Sequence, residues 1–356
     1  MKEYAQTAVE YLKQLIAIPS VSREEDKSAD LLGDILEKSG HKVSRKGNNI
    51  WVSHIIDRSL PTILLNSHHD TVKPTSSWSR DPFSPVVEEN RLYGLGSNDA
   101  GASLVSLLMV FLHFEKVSNP KFNLIYAATA EEEVTGKGGI SLIMDELPPL
   151  DLAIVGEPTR MRMAIAEKGL MVLDGITRGQ SGHAAREEGV NALYLALEDI
   201  AWFRSFRFPH ESELLGPVKM SVTVIQSGYQ HNIVPDTCSY VVDVRTNEFY
   251  KNSEALAIIQ SGMKHSQITP RSTHINSSRI EVGHPVVQKA LSMGIEIFGS
   301  PTTSDQARIP YTSLKMGPGD SARSHTADEY ICLNEIEEGI TGYIALLNDL
   351  DIRIAR

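Results

Sequence analysis

The chain has 356 residues, 41% hydrophobic and 22% charged, with a formal net charge of −11. That length suits roughly two domains, each with its own core, and the acidic balance argues against nucleic acid or an anionic membrane surface, which attract clustered Lys and Arg. The two cysteines, Cys238 and Cys332, form no Cys-x-x-Cys pair, so the expectation is no disulfide framework, a reducing compartment and two core-filling thiols.

Met1-Lys2-Glu3-Tyr4 opens a charged helical pattern with Val9, Leu12, Leu15 and Ile16 on its apolar face, unlike a basic-then-apolar leader. Cytoplasmic placement is therefore expected. Ser22 and Glu25 have capping-box spacing before a helix over Ala29–Ser39. Ile63-Leu64-Leu65 reads as a buried strand running into Ser67-His68-His69-Asp70. Ala100–Phe114 is an almost wholly apolar helix with Asp99 at its N-cap, and its greasy part, Ser103–Phe114, falls short of the roughly 20 residues a bilayer needs. Phe122–Ala128 and Leu152–Val155 are further short apolar runs, ending at Glu131-Glu132-Glu133 and Gly156-Glu157-Pro158. Together these predict an α/β domain with a mostly parallel mixed sheet and helices on both faces.

From about Met161 the texture changes to longer alternating strands at Leu170–Thr177, Val218–Gln226 and Thr237–Thr246, with helices at Asn191–Arg204 and Ser253–His265 and a last strand near Ile268. That order suits a ferredoxin-like, split βαβ insertion. The α/β texture resumes at Val286–Phe298 and closes with a helix over Glu335–Asn348 that Asn334 and Glu337 could cap. The expected division is 1–163 with 274–356 for one domain and 164–273 for the insertion.

Open parallel sheets bind ligands beyond the carboxyl ends of their strands. His68, Glu133 and Glu157 fall there, and Asp99 and His325 add a carboxylate and an imidazole. Carboxylates and imidazoles without thiolates suit zinc, with cobalt or manganese possible in the same donor set. Two such ions can share a carboxylate with both oxygens free, and Asp99 is the choice for that bridge. Glu132 beside Glu133 suits a division of labour in which one carboxylate holds metal and its neighbour moves a proton. Asp70 is placed to fix the His68 tautomer. The Glu run leaves a second register open, with Glu131-Glu132 as the pair; Glu132-Glu133 is preferred. Gly94-Leu95-Gly96-Ser97-Asn98-Asp99 lacks the third glycine of a dinucleotide fingerprint, and Gly179-Gln180-Ser181-Gly182-His183 lacks the last glycine of a nucleophile elbow.

With His-x-Asp, an Asp before a helix, Glu-Glu, Gly-Glu-Pro, Ser-Gly-His, Asn-x-Val-Pro and a late His in this order, the chain resembles the aminoacylase, acetylornithine deacetylase and carboxypeptidase G family of co-catalytic zinc amidohydrolases over nearly its whole length. The resemblance implies one zinc on His68 and Glu157, another on Glu133 and His325, Asp99 between them, Glu132 as general base, and a cis Asp99-Ala100 peptide. It implies that the insertion is a lid and dimerisation domain of a homodimer, with His183 stabilising an oxyanion across subunits, Asn232 contacting substrate and Arg245 binding its α-carboxylate; Gly317 would shape the pocket wall through backbone groups. Leu95 and Ala100-Gly101 depart from the Arg and Lys-Gly of many relatives. The small-molecule substrate implied is an N-acyl L-amino acid, first N-acetyl-L-ornithine in arginine biosynthesis. An N-succinyl amino acid, N-acetyl-lysine or N-acetyl-citrulline, and a dipeptide are the alternatives, with a non-catalytic binding protein on the same fold as the reading from another class.

Overall fold

In a computed structural model, residues 1–118, 120–186 and 188–352 are described. In chain order the elements are α1 (Lys2–Ile16), α2 (Asp26–Lys38), β1 (Ser44–Lys46), β2 (Asn49–His54), β3 (Thr62–His68), β4 (Val86–Glu88), β5 (Arg91–Tyr93), α3 (Ala102–Phe114), β6 (Asn123–Thr129), β7 (Leu152–Gly156), β8 (Met163–Glu167), β9 (Gly169–Arg178), α4 (Ala192–Ser205), β10 (Lys219–Ser227), β11 (Thr237–Thr246), α5 (Asn252–Gly262), β12 (Ser266–Pro270), β13 (Ser278–Arg279), α6 (Pro285–Ser292), β14 (Ile297–Ser300), β15 (Ser313–Met316), β16 (Tyr330–Cys332) and α7 (Leu333–Leu347). The chain divides into two compact units: Met1–Ile165 with Ile280–Phe298 and Ser304–Arg356, and Ala166–Arg279 with Gly299–Thr303.

The sheet of the first unit runs β1-β2-β6-β3-β7-β15-β8. Its centre, β6, β3, β7 and β15, is parallel, while β1-β2, β2-β6 and β15-β8 pair antiparallel. Every residue of β3, β6 and β7 is buried, which is why these strands read as unbroken apolar runs. On one face lies α3, with α1 and α7 against it. On the other, Leu64, Ile125 and Ala153 pack with Ile140, Ile143 and Ile309, which come from short 3-10 turns and their flanks. The apolar helical segment Ser97–Phe114 is 18 residues, long and apolar enough to cross a membrane by composition, but 78% of it is buried inside the protein as a core helix.

Three helix starts differ from the sequence expectation. Ser22 does not cap α2; its Oγ donates to Asp70 Oδ2 at 2.6 Å. Asp99 does not cap α3, since it lies in a π-turn over Ser97–Gly101 with φ −118° and ψ 100° and the α-helix starts at Ala102. For α7 the capping pair is Cys332 and Glu335, not Asn334 and Glu337, and the Cys332 amide donates to Glu335 Oε2 at 2.9 Å. A tertiary partner displaces the first cap and a local turn the second, while at α7 the same box spacing is met two residues earlier.

The second unit is a four-stranded antiparallel sheet ordered β10-β11-β9-β12, joined in the sequence β9-α4-β10-β11-α5-β12. This is the split βαβ connectivity. β9 and β11 alternate buried and part-exposed residues, and Met171, Leu173, Tyr240, Val242 and Val244 pack with Ala196, Phe203, Ala255 and Ile259 of the helices. Buried Asp199 of α4 accepts from the amides of Lys264, His265 and Ser266 at 2.9, 3.1 and 2.7 Å, fixing the entry to β12. Burial raises its pKa, but the Ser266 hydroxyl and these amides outweigh it, so the carboxyl titrates below its usual value. Asp199→Ala is expected to cost about 2 kcal/mol, because it removes the charged acceptor that three successive amides share. Since the folded pKa is depressed, that contribution exists above the ordinary carboxylate range near pH 4 and fades as pH falls through the folded value. Urea midpoints of parent and variant at pH 7 and at pH 3 should therefore differ widely and then converge.

Candidate metal centre and active site

Because β3, β6, β7 and β15 are parallel, their carboxyl ends share one edge, and residue 68 pairs in register with Thr129. His68 ends β3, Glu131–Glu133 follow β6, Glu157 follows β7 and Gly317 follows β15. The Asp99 turn and the His325 loop complete the ring. His68, Asp99 and Glu133 each offer a ligand atom within 4.8 Å of the others, a spacing that could hold a metal ion.

His68 Nδ1 lies 2.9 Å from the Asp70 carbonyl, which can only accept, so in the neutral ring the proton sits on Nδ1 and Nε2 keeps the lone pair a metal would need. That Nε2 is 3.3 Å from Asp99 Oδ1 and 3.9 Å from Glu157 Oε1. The other Asp99 oxygen, Oδ2, is 3.7 Å from His325 Nε2, which is 2.9 Å from Glu133 Oε2. Asp99 thus faces a His-Glu set with each oxygen. The Asp99-Ala100 peptide is cis, as expected.

Asp70 does more than orient His68. Its Oδ1 and Oδ2 accept from the amides of Glu132 and Glu133 at 3.0 and 3.2 Å, so one carboxylate fixes both the imidazole and the acidic loop. The register of the Glu run follows from the same loop. Glu131, with φ +53°, turns its carboxylate away to accept from the Gly138 amide at 3.2 Å, and a Cβ on Gly136 or Gly138 would collide with it. Glu131 is thus engaged elsewhere, while the Glu132 and Glu133 carboxyls feel the charge of His68.

The electrostatics are those of crowded carboxylates. Burial, with repulsion from Glu157, Asp305 and Glu133, drives the Glu132 carboxyl well above its usual range against the pull of His68. Glu157 is pushed up to about 8, mainly by burial, and Glu133 rises for the same reason. His325 is raised to about 9 by its bond to Glu133. Burial would lower His68, but Asp70 and Asp99 raise it well above an ordinary imidazole. Asp99 stays below its usual value because His68, Ser324 and His325 outweigh its burial. Three carboxylates and two imidazoles, without a thiolate and gathered against mutual repulsion, form a donor set that divalent cations fit.

Two carboxylates that hold the site in place carry no local sequence signal. Buried Glu329 accepts from the amides of Gly96, Asn98 and Asp99 at 3.0, 2.8 and 2.9 Å, lacing the Asp99 turn to the His325 loop. The Asn98 side chain answers from the other side, accepting from the Asp320 amide at 2.9 Å and donating to its carbonyl at 3.1 Å. Buried Asp305 accepts from Thr129 Oγ1 and Asn66 Nδ2 at 2.7 and 2.9 Å. Gly317 fits tightly: its carbonyl accepts from the Thr159 and Met161 amides, and a Cβ would collide with Ser103 Oγ and the Glu157 backbone.

The remaining candidates belong to the second unit. His183 and Asn232 are exposed on adjoining loops, where residue 183 bridges Ile233 and the Ala184 amide donates to the Asn232 carbonyl at 3.0 Å. Arg245 is held by Asp243 through Nε and Nη2 at 2.9 and 3.0 Å, while Nη1 reaches Thr303 Oγ1 at 3.4 Å.

A mixed α/β sheet that gathers acids and imidazoles beyond its parallel strands defines a hydrolase with a candidate metal centre. The chain belongs to peptidase family M20/M25/M40, whose model matches residues 64–349. An acetylornithine deacetylase of Erwinia tasmaniensis is 28% identical over 370 residues, covering 93% of this chain and 94% of its own. Succinyl-diaminopimelate desuccinylase 2 of a Ruegeria species is 26% identical over 274 residues, covering 71% and 69%. A tripeptidase from Staphylococcus aureus shares the fold with a TM-score of 0.80 at 18% identity, covering 98% of this chain and 99% of that one.

Proposed function

We propose that this chain is a metal-dependent amidohydrolase that removes the acyl group from an N-acyl L-amino acid, with N-acetyl-L-ornithine as its substrate in arginine biosynthesis. The observation that carries the reading is Asp99, whose two oxygens face His68 at 3.3 Å and His325 at 3.7 Å. Two divalent ions, zinc by donor type with cobalt as the alternative, would be held by His68 and Glu157 on one side and Glu133 and His325 on the other, with Asp99 shared. Bound there, they acidify water and polarise the scissile carbonyl.

Glu132 takes a proton from the attacking water as its oxygen adds to the acyl carbon, and gives that proton to the amine nitrogen as the C–N bond breaks. Asp70 keeps His68 in the metal-binding tautomer and pins the loop of the base. His183 is assigned to the oxyanion, Asn232 to the substrate, Arg245 to its α-carboxylate and Gly317 to the pocket wall. A homodimer through the second unit is supported by large side chains exposed there, Tyr194 at 67%, Val224 at 46% and Ile225 at 47%.

The acetylornithine deacetylase relative supports the acetyl substrate, and the desuccinylase relative makes N-succinyl amino acids the competitor. A panel of N-acetyl-L-ornithine, N-succinyl-L-ornithine and dipeptides separates them, with N-acetyl-L-ornithine expected to give the highest kcat/KM. Hydrolysis should stop on chelation and return with Zn2+ or Co2+. Faster cleavage of dipeptides would replace the acyl-amino-acid reading, and turnover that survives complete chelation would remove the metals from it.

A further inference from the structure

The loop that carries Glu132 and Glu133 is gripped at both ends by one short turn elsewhere in the first unit. At its start, Asp305 Oδ2 accepts from Thr129 Oγ1 at 2.7 Å and from Asn66 Nδ2 at 2.9 Å. At its end, Arg308 Nη1 donates to the Gly136 carbonyl at 2.7 Å and Nη2 to the Thr135 carbonyl. Asp305 and Arg308 are the first and last residues of a single 3-10 turn, where side chains three apart project from the same side. Within the loop the Thr135 amide donates to the Glu132 carbonyl and the Gly136 amide to the Glu131 carbonyl, both at 2.8 Å, so Arg308 closes on the residues that fold the Glu run back on itself. Glu131 and Thr135 have φ of +53° and +46°, a left-handed backbone that non-glycine residues keep only when neighbours impose it.

We propose that the Asp305–Arg308 turn is a positioning clamp for the catalytic loop: Asp305 sets the β6 end, Arg308 sets the far end, and together they fix where the Glu132 carboxylate meets substrate. The inference rests on the reading of Glu132 as the base. Neither residue touches the reacting atoms. Arg308 matters through its fork, because two carbonyls on successive residues need two donors in one plane, which an ammonium cannot supply in the same geometry. Asp305 matters as the shared acceptor of two side-chain donors, both of which meet its Oδ2, so alanine strands the two together.

The test uses the full-length, metal-loaded protein and the variants Arg308→Ala, Arg308→Lys and Asp305→Ala. A displaced base costs transition-state geometry before substrate binding, so kcat should fall about 10- to 100-fold in Arg308→Ala with KM and melting temperature close to the parent. Added guanidinium should recover part of that loss, and Arg308→Lys should lie between alanine and parent. Amide hydrogen exchange over residues 130–138 should quicken in Arg308→Ala and Asp305→Ala, while exchange in β7 stays as in the parent. Exchange needs no substrate, so it reads the clamp even if the acyl-amino-acid assignment fails. Unchanged exchange over 130–138 in both variants, or a kcat equal to the parent's in Arg308→Ala, would overturn the clamp. A loss of kcat matched by a fall in melting temperature and without guanidinium rescue would reduce the turn to scaffolding.

Discussion

Replacing Glu132 by alanine is expected to lower kcat by on the order of 10²-fold or more while leaving metal content and KM near the parent values. The reason lies in which parts of Glu132 are structural. Its amide is held by Asp70 Oδ1 at 3.0 Å and the next amide by Asp70 Oδ2 at 3.2 Å, so the loop stays anchored when the side chain is removed. Glu133 keeps its place opposite His325 because its anchor is the same Asp70 carboxylate. What disappears is a carboxyl whose proton affinity burial and neighbouring acids have raised. Removing it also relieves repulsion on Glu157 and Glu133, so the metal-free variant should melt no lower than the metal-free parent. Metal content is read by elemental analysis and turnover by ninhydrin detection of the released amine. Full turnover in a metal-loaded Glu132→Ala protein would remove the base from the mechanism, whereas a metal-loaded parent that cleaves none of the substrates would favour a protein that binds acylated ligands without cleaving them.

How far the site was legible from the chain depends on what each residue's signal is made of. His68 and Glu157 could be placed because the strands before them are buried on both faces, and such strands appear as apolar runs of the right length. The second unit was legible for the opposite reason: β9 and β11 bury one face, and their alternation shows it. Glu329 escaped because its partners are the backbone amides of Gly96, Asn98 and Asp99, more than two hundred residues away, and amides have no residue-type signature. Asp305 and Arg308 escaped likewise, one serving a Thr and an Asn and the other two carbonyls. The helix starts misled for a related reason. Ser22 has cap chemistry but spends it on Asp70, and Asp99 precedes an apolar helix but sits in a turn that aims it at two imidazoles. The Glu run is ambiguous in the sequence because nothing local shows that Gly136 and Gly138 make room for Glu131, whose carboxylate turns to the Gly138 amide.

The second large effect concerns Asp99, and here the stoichiometry of metal is more telling than the rate. His68→Ala removes a donor that stands with Glu157, and His325→Ala removes one that stands with Glu133. Each should leave about one ion per chain, because the opposite set and one Asp99 oxygen survive. Asp99→Ala takes an oxygen from both sets at once, and it should leave both ions weakly held and lost on dialysis. Loss of metal assistance is worth several kcal/mol of transition-state stabilisation, so activity should fall on the order of 10³-fold in Asp99→Ala. Glu329 gives an internal control on geometry, since it holds the Asp99 turn through backbone amides that the substitution does not remove, and the fold around residues 96–99 should persist. Asp99 also draws stabilisation from both imidazoles, which help keep its carboxyl below the usual range against the cost of its desolvation. Alanine there should let His68 titrate closer to an ordinary imidazole, a shift that proton NMR of the metal-free variant can follow. If Asp99→Ala retained one ion as firmly as the single histidine variants do, the carboxylate would belong to one site rather than two, and the paired arrangement of His68 with Glu157 and His325 with Glu133 would have to be bridged by something else.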